Sequence, residues 1–191
     1  MAYVTRAQLR AHLGYRPEFV EDDAQMDVAI TAAEAMVDDY CGRTFDAPTA
    51  SDERIYDSSR LRTMTIDDVS DTATAVVETS SDRSTWTVED PADYYWDVPT
   101  GFPAVALCRI SDVWPAGWVR VTADHGWSAV PEPVIAATKL AASQLLSRRH
   151  SPNGIEVGGE FGAVRSSRFL DSTAQLLLAP YRRVGAYLGV A

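Results

Sequence analysis

The chain contains few of the residues that mark metal, redox and membrane proteins. Its 191 residues include two cysteines, three histidines and a single lysine. Cys41 and Cys108 lie too far apart for the paired spacing of a zinc site, and we predict that both are small core residues. No apolar run reaches the roughly 18 residues of a membrane span, and no signal peptide is visible. We therefore expect a soluble product, made in a cytoplasm, that contacts no membrane.

Charge narrows the classes of partner further. The formal net charge is -10, from 17 basic and 27 acidic residues. A surface of this sign repels phosphate backbones, which argues against a nonspecific DNA-binding protein. The same property would suit a channel through which DNA passes without sticking, although composition alone does not indicate a channel. With 46% hydrophobic residues, the chain can bury the core of one ordinary domain.

Apolar spacing predicts helices over residues 5–13, 22–41 and 131–149. Thr5 is a suitable N-cap for the first helix and Gly14 ends it, while Gly42 ends the second. Pro131 and Pro133 mark the start of the third, where a missing N–H costs nothing. This third helix follows the Gly126–Trp127 turn and is apolar on most of its circumference. Its own domain, neighbouring subunits or both must therefore cover it nearly all round.

The middle of the chain, about residues 52–122, has the short β-branched and aromatic runs of strands. The predicted strands are Arg54–Tyr56, Thr63–Ile66, Thr74–Thr79, Ser84–Val88, Ala104–Leu107 and Trp118–Thr122. We expect an α+β fold, mainly a helical core of about four helices, with this small antiparallel β region inserted and a flexible C-terminal tail. Residues 1–150 would form one domain. Residues 151–191 would form the tail, with a short helix from Thr173 to about Ala179.

No set of residues predicts a catalytic centre, a cofactor site or a metal site. The acidic doublets are Asp22-Asp23, Asp38-Asp39, Asp67-Asp68 and Glu89-Asp90. Neighbouring side chains diverge on a helix and alternate on a strand, so a solvated acidic surface explains the doublets better than an ion does. His125 precedes a turn, where contact with backbone is the ordinary expectation. The glycines of residues 158–162 lack phosphate-loop spacing and indicate a linker.

The tail carries most of the candidate partner-binding residues. Basic and aromatic side chains interleave at Arg165–Phe169 and at Tyr181–Arg183, and an acidic protein explains them as well as nucleic acid does. The predicted partner-binding residues are Arg148, Arg149, Phe161, Arg165, Arg168, Phe169, Leu176, Leu177, Tyr181, Arg182 and Arg183. The Trp114–Trp118 turn is a second candidate surface, because tryptophan and arginine dominate protein interfaces.

The order of several short motifs resembles the head–tail connector, or adaptor, proteins of long-tailed bacteriophages. The motifs are Tyr3–Thr5 with Leu9–Leu13, the acidic start of the second helix, Asp39–Phe45, Ile66–Asp68, Val119–Thr122, Gly126–Trp127 and the Val130–Pro131 helix start. The resemblance covers Tyr3 to about Arg149 and, more loosely, Leu170 to Arg183.

The resemblance implies a noncatalytic virion subunit that assembles into a ring, usually dodecameric, beneath the portal protein. Such a ring extends the DNA channel and gives a stopper or tail protein its docking surface. The implied partners are the portal protein, a stopper or tail-completion protein and further copies of the chain, with genomic DNA only as passing cargo. The chain would be made in the bacterial host cytoplasm and reside at the head–tail interface. Two alternatives stay open: another virion completion protein, of stopper or tail-terminator type, and a carboxylate-based metal-dependent enzyme.

Overall fold

The computed structural model describes residues 2–16, 22–58, 60–150, 155–156, 164–165 and 170–183, with backbone alone for 148–150 and for the two tail strands. The chain divides into two compact units. One comprises Met1–Phe45 and Val130–Ala191, and the other comprises Asp46–Ala129. The boundary expected near residue 150 stays a prediction, because most of residues 151–169 lie outside this description.

The described part of the first unit contains four α-helices. They are α1 (Arg6–Leu13), α2 (Asp23–Cys41), α3 (Glu132–His150) and α4 (Ser172–Leu178). Thr5 caps α1 as expected, since its hydroxyl accepts from the Gln8 N–H and the Gln8 side chain accepts from the Thr5 N–H. Gly14 and Gly42 end α1 and α2 in the left-handed conformation, which glycine adopts without steric cost.

Helix α3 is covered by elements of its own unit. It packs on α2, α4 and α1, and Val134, Ala137 and Ala141 on α3 are buried. On α2 the buried residues follow helical spacing on one face: Met26, Ala29, Ile30, Ala33, Val37 and Cys41. None of the described helices is both long and apolar enough to cross a membrane. In the tail, β7 (Ile155–Glu156) pairs antiparallel with β8 (Val164–Arg165). The linker predicted at 158–162 lies outside the described residues.

The second unit is built on one antiparallel sheet. Its strands are β1 (Asp52–Asp57), β2 (Thr63–Ser80), β3 (Thr87–Val88), β4 (Tyr94–Asp97), β5 (Ala104–Arg109) and β6 (Trp118–His125). The order across the sheet is β1-β6-β2-β5-β4, and β3 pairs with β2. Because β2 pairs with β5 in its first half and with β6 in its second, it belongs to both halves of the sheet.

Strand β2 joins two predicted strands across a stretch that its composition marks as a turn. The pairing register shifts between Val69 and Val76, which is a bulge that re-aims the strand. Polar groups there are satisfied locally, since the Ser70 hydroxyl donates to the Asp124 carbonyl and Asp71 accepts from the Ala73 N–H. Buried residues before and after the bulge belong to one hydrophobic cluster, so the sheet bends around a single core.

The prediction of a mainly helical core with a small β insertion was wrong. The fold is mixed α+β, but about 29% of the chain is strand and the sheet has six strands. Two features account for the error. The polar run Asp67–Ala73 continues a strand because neighbouring elements satisfy its side chains, and Tyr94–Asp97 pairs with β5, although no strand was expected there.

Candidate partner-binding surfaces

The segment that contains α4 is anchored on the helical unit. Asp171 caps α4 by accepting from the Ser172 N–H at 2.7 Å. Leu170, Ala174 and Leu178 are buried, whereas 76% of Leu176 is exposed. The three consecutive leucines therefore do different things, because adjacent side chains on a helix point about 100° apart. Leu178 joins the core and Leu176 is available to a partner.

Predicted partner-binding residues at the end of this segment contact α2 and the residues after it. The Tyr181 ring meets Phe45 edge-on, with the centroids 6.0 Å apart. The Arg182 guanidinium carbon lies 5.3 Å from the centre of the Tyr40 ring, and the Arg183 N–H donates to the Cys41 carbonyl at 2.8 Å. Within the unit, these residues hold the segment that contains α4 on α2. Partner binding by them stays a prediction.

The remaining predicted residues of the tail are only partly described. Arg148 and Arg149 lie in the last turn of α3, and Arg165 lies in β8, each without a described side chain. Leu177 is half-buried on α4. Phe161, Arg168 and Phe169 lie outside the described residues.

A second surface, which no sequence motif indicated, is the outer face of β1, β6, β2 and β3. Directly paired residues of an antiparallel sheet share a face. The pairs Ile55↔Arg120, Arg120↔Glu78 and Glu78↔Val88 therefore form one row across four strands. Of the side chains in that row, Ile55 is 48% exposed and Val88 is 64% exposed. Val76, on the same face, is also exposed. We call this surface the outer sheet face.

Arginine and tryptophan side chains stack in two places on the outer sheet face. The guanidinium carbon of Arg83 lies 3.4 Å from the centre of the Trp118 ring, and that of Arg120 lies 4.5 Å from the centre of Trp86. Cation–π contacts of this kind contribute about 0.5–1 kcal/mol when exposed. Both join the segment between β2 and β3 to β6, so they hold that segment against the sheet.

The turn that carries Arg83 is held by a network of its own. The Asp82 carboxylate accepts from the backbone N–H groups of Ser84 and Thr85, and the Ser80 hydroxyl accepts from the Arg83 N–H. The hydrogen bonds that Asp82 accepts from the Thr85 and Ser84 N–H groups, and from the Ser80 hydroxyl, lower its pKa to about 2. Arg83 itself has a φ of 62°, in the left-handed region that costs a non-glycine residue energy. Contacts within the subunit therefore hold the backbone at Arg83 in place.

Several carboxylates of the acidic doublets form ion pairs or hydrogen bonds within the chain, which the sequence did not predict. Asp23 pairs with Arg6 and Arg10, and Asp38 accepts from the Tyr3 hydroxyl at 2.7 Å. Glu89 pairs with Arg109 at 2.8 Å, with only 12% of its side chain exposed. The prediction that the acidic doublets form a purely solvated surface was therefore wrong at Glu89. In the described residues, no three acidic, histidine or cysteine side chains form a group that could hold a metal ion.

Asp68 departs furthest from the expected solvated surface. It is 4% exposed and accepts from the Trp127 indole N–H at 3.0 Å. Its carbonyl accepts from the Gly126 N–H, so one residue holds both positions of the Gly-Trp turn. The Trp127 ring also meets Phe102 edge-on, with the centroids 5.6 Å apart. The doublet at 67–68 is therefore a core contact.

His125 contacts backbone, as expected, and is buried at the end of β6. Its Nε2 lies 3.4 Å from the Val121 carbonyl oxygen and 3.8 Å from a carboxylate oxygen of Asp52. Burial lowers the pKa of His125, and the positive charge of Arg54 lowers it further. This arrangement keeps the imidazole neutral in a packed setting.

The Trp114–Trp118 turn, the second candidate surface, exposes one of its two rings in part. Trp114 is fully buried and Trp118 is half-buried beneath Arg83. A cleft of about 530 Å³ lies beside the turn. Its walls are Arg60, Asp93, Arg109, Ser111, Asp112, Val113, Trp114, Pro115 and Ala116. Arg109, on one wall of the cleft, is already paired with Glu89 and Asp93.

Solved structures share this fold over nearly the whole chain. A chain in the neck of an empty GTA particle, computed with C6 symmetry, is 18% identical, with a TM-score of 0.57 over 98% of this chain and 93% of that one. In the neck of a native GTA particle, computed with C12 symmetry, the identity is 19% and the TM-score 0.54, over 96% and 90% of the two chains. The virion of a native gene transfer agent (GTA) particle contains a chain of 19% identity and TM-score 0.57, over 98% and 93%. This chain has their fold.

The likeness lies in structure and not in close sequence relationship. No protein-family model matches the sequence, and no curated protein matches it. At identities of 18% and 19%, the alignments establish a common fold, whereas function depends on the sites that each sequence builds on it.

Proposed function

We propose that this protein is a noncatalytic subunit of a phage-like neck. In this proposal it forms a ring below the portal protein, extends the DNA channel and offers a docking surface to a stopper or tail protein. Its mechanism is geometric. Identical subunits meet through two different patches, and such head-to-tail contacts close into a ring when the rotation between subunits allows it.

The observation that carries the proposal is the near full-length likeness to chains in particle necks. The alignment covers 98% of this chain and 93% of the chain in one neck, so the likeness is not confined to a common supersecondary motif. Another of these necks was computed with C12 symmetry, which is the order expected of a connector ring.

Charge and surface composition support the same proposal. A net charge of -10 disfavours adhesion of DNA to the wall of a channel. The described surface also presents apolar side chains in both units, including Val28, Val88 and Leu176. An assembling subunit needs apolar contact areas of this kind.

The proposal can be tested with particles that lack this protein. We expect filled heads that do not join tails, and we expect ring-shaped density for the protein in a map of the complete neck. Because connector rings often need the portal as a template, the purified chain should be measured by native mass spectrometry both alone and with portal protein. Complete infectious particles made without the protein would refute the proposal.

The position of the density separates the two structural alternatives. A ring in direct contact with the portal supports the adaptor role. Density at the tail-facing end of the neck, separated from the portal by another protein, would assign the chain to a stopper or tail-completion role.

A further inference from the structure

The outer sheet face has the composition of a contact surface. The exposed apolar side chains Ile55, Val76 and Val88 surround the half-buried Trp86 and Trp118. In an antiparallel sheet one face packs on the core and the other usually faces water with polar residues. Here the exposed apolar and aromatic side chains lie among charged ones such as Glu53, Glu78 and Arg120, a mixture that is typical of contact surfaces.

The charge at the centre of this face is already neutralised inside the subunit. Arg120 donates to Glu78 at 2.6 Å, and these side chains are only 21% and 15% exposed. The guanidinium of Arg120 also lies over Trp86. Because both side chains are already mostly removed from water, a partner that covers this pair adds little further desolvation cost.

A helix is the element that best fits such a face, and α2 offers the matching surface. A sheet face and a helix stripe are each stable when buried against another layer. Opposite its buried residues, α2 exposes Ala24, Asp27, Val28, Thr31, Ala32, Ala35 and Asp39. Val28 is 69% exposed. The small side chains allow the helix axis to approach a sheet closely.

The dimensions of the two surfaces agree. From Ala24 to Ala35 the helix rises about 16 Å at 1.5 Å per residue. Adjacent strands of a sheet lie about 4.8 Å apart, so the distance from β1 across β6 and β2 to β3 is about 14 Å. One crossing of the sheet by this part of α2 would therefore cover the whole row from Ile55 to Val88.

Charge favours one orientation of the contact. From Asp22 to Gly42 there is no lysine, arginine or histidine, and Asp39 is exposed near the end of α2. On the outer sheet face Glu53 and Asp57 lie on β1, and the guanidinium of Arg83 lies over Trp118 of β6. Near the start of α2, Asp23 and Asp27 are already paired with Arg6. Since like charges repel, the end of α2 that carries Asp39 fits over β2 and β3, away from β1.

We propose that the outer sheet face of one copy binds the exposed face of α2 of a second copy. The two surfaces differ, so the contact is head-to-tail and can repeat around a ring. This inference rests on the proposed function and names the contact through which the ring closes.

Cysteine cross-linking tests the contact, because the two native cysteines are buried and free. Particles are prepared with Val28→Cys and Ile55→Cys in the same chain, because the proposed orientation places the first half of α2 towards β1, and are treated with a short flexible bismaleimide, which tolerates offsets that a disulfide does not. We expect denaturing gels to resolve a ladder of covalent multiples from the double variant, with most of the subunit cross-linked. Each single variant should stay monomeric, since a head-to-tail contact never brings two copies of one position together.

Controls separate this inference from the proposed function. The pair Val28→Cys with Val98→Cys uses another exposed valine, 53% accessible beyond β4, and should give no ladder. Dimers from Ile55→Cys alone would mean that two sheet faces meet, and would overturn the inference. Incorporation of the double variant into particles without any ladder would also overturn it, while leaving the ring proposal intact. Absence of the protein from purified particles would instead count against the proposed function.

A charge introduced into the face gives an independent measurement. Val88→Glu should lower incorporation into particles about tenfold or more, equivalent to the loss of one interface hot spot. Val98→Glu should leave incorporation unchanged. Since both valines are exposed, we expect both variants to fold with unchanged melting temperature. Equal incorporation of the two variants would contradict the proposed contact.

Discussion

The indole N–H of Trp127 donates to the carboxylate of Asp68 at 3.0 Å, and both side chains are 4% exposed. This bond links the Gly-Trp turn after β6 to β2. A carboxylate in a packed environment is stable only when donors satisfy it. The contact therefore explains why an acidic residue occupies an interior position of a long strand.

Replacing Trp127 with Phe should reveal the value of this bond. The ring's contact with Phe102 is retained in part, whereas Asp68 loses a donor. Loss of a hydrogen bond to a buried carboxylate costs about 1–3 kcal/mol, and we expect the free energy of unfolding to fall by that amount in urea titrations. Trp96→Phe is the control, since Trp96 is half-buried and packs on Tyr94, and should cost under about 1 kcal/mol. Equal losses in the two variants would contradict the assigned role.

Gly126 should not tolerate a side chain. Its φ is 129°, and a Cβ there would overlap the Asp46 carbonyl oxygen. We expect Gly126→Ala to destabilise the protein by about 1–3 kcal/mol, measured by thermal and urea unfolding. Gly101 is a matched control because its φ is also positive, at 79°, but a Cβ would meet nothing within 4 Å. If Gly101→Ala costs as much, backbone conformation alone, without the close approach, would account for the loss.

The thiol of Cys41 should react slowly in the folded protein. Burial raises its pKa to about 12, so at pH 8 roughly one thiol in ten thousand is ionised, and the thiolate is the reactive form. With Cys108→Ala as the background, Ellman's reagent should label Cys41 only after denaturant is added. Complete labelling within seconds under native conditions would show that the thiol is accessible.

Stability should depend on the protonation of His125. Its pKa is lowered in the folded protein by burial and by Arg54, so the unfolded chain binds a proton more readily. The neutral imidazole contributes stability above its unfolded pKa of about 6.5, and that contribution is lost as the pH falls below this value. We expect the urea midpoint to fall between pH 7.5 and pH 5.5, and we expect His125→Gln to flatten this change. His12→Gln, at an exposed position on α1, should leave the dependence as in the parent chain.

Local signals predicted the helices well because each depends on few residues. Thr5 and Gln8 form a cap within one turn, and Gly42 ends α2 through its own backbone freedom. Burial of Cys41 and Cys108 was likewise confirmed. Such features depend mainly on residues close together in the sequence, so the sequence pattern predicted them correctly.

The predicted and observed folds differ where the structure depends on contacts between residues far apart in the sequence. Asp67–Ala73 has the composition of a turn, yet it continues β2 because Trp127 and Asp124 satisfy its polar groups from distant positions. The outer sheet face was not foreseen for the same reason. Ile55, Val76 and Val88 are separate apolar residues in the sequence, and only the register of β1, β6, β2 and β3 places them on one surface.

Composition, capping residues and apolar spacing alone establish an acidic chain with amphipathic helices, two core cysteines and a strand-rich middle. The tertiary structure decided that the middle forms one bent six-stranded sheet, that Asp68 is buried, and that Tyr181 and Arg183 hold the segment that contains α4 on the end of α2. The physical reason is range. Helix signals act within a turn, whereas sheet register and the partners of buried charges depend on residues tens of positions away.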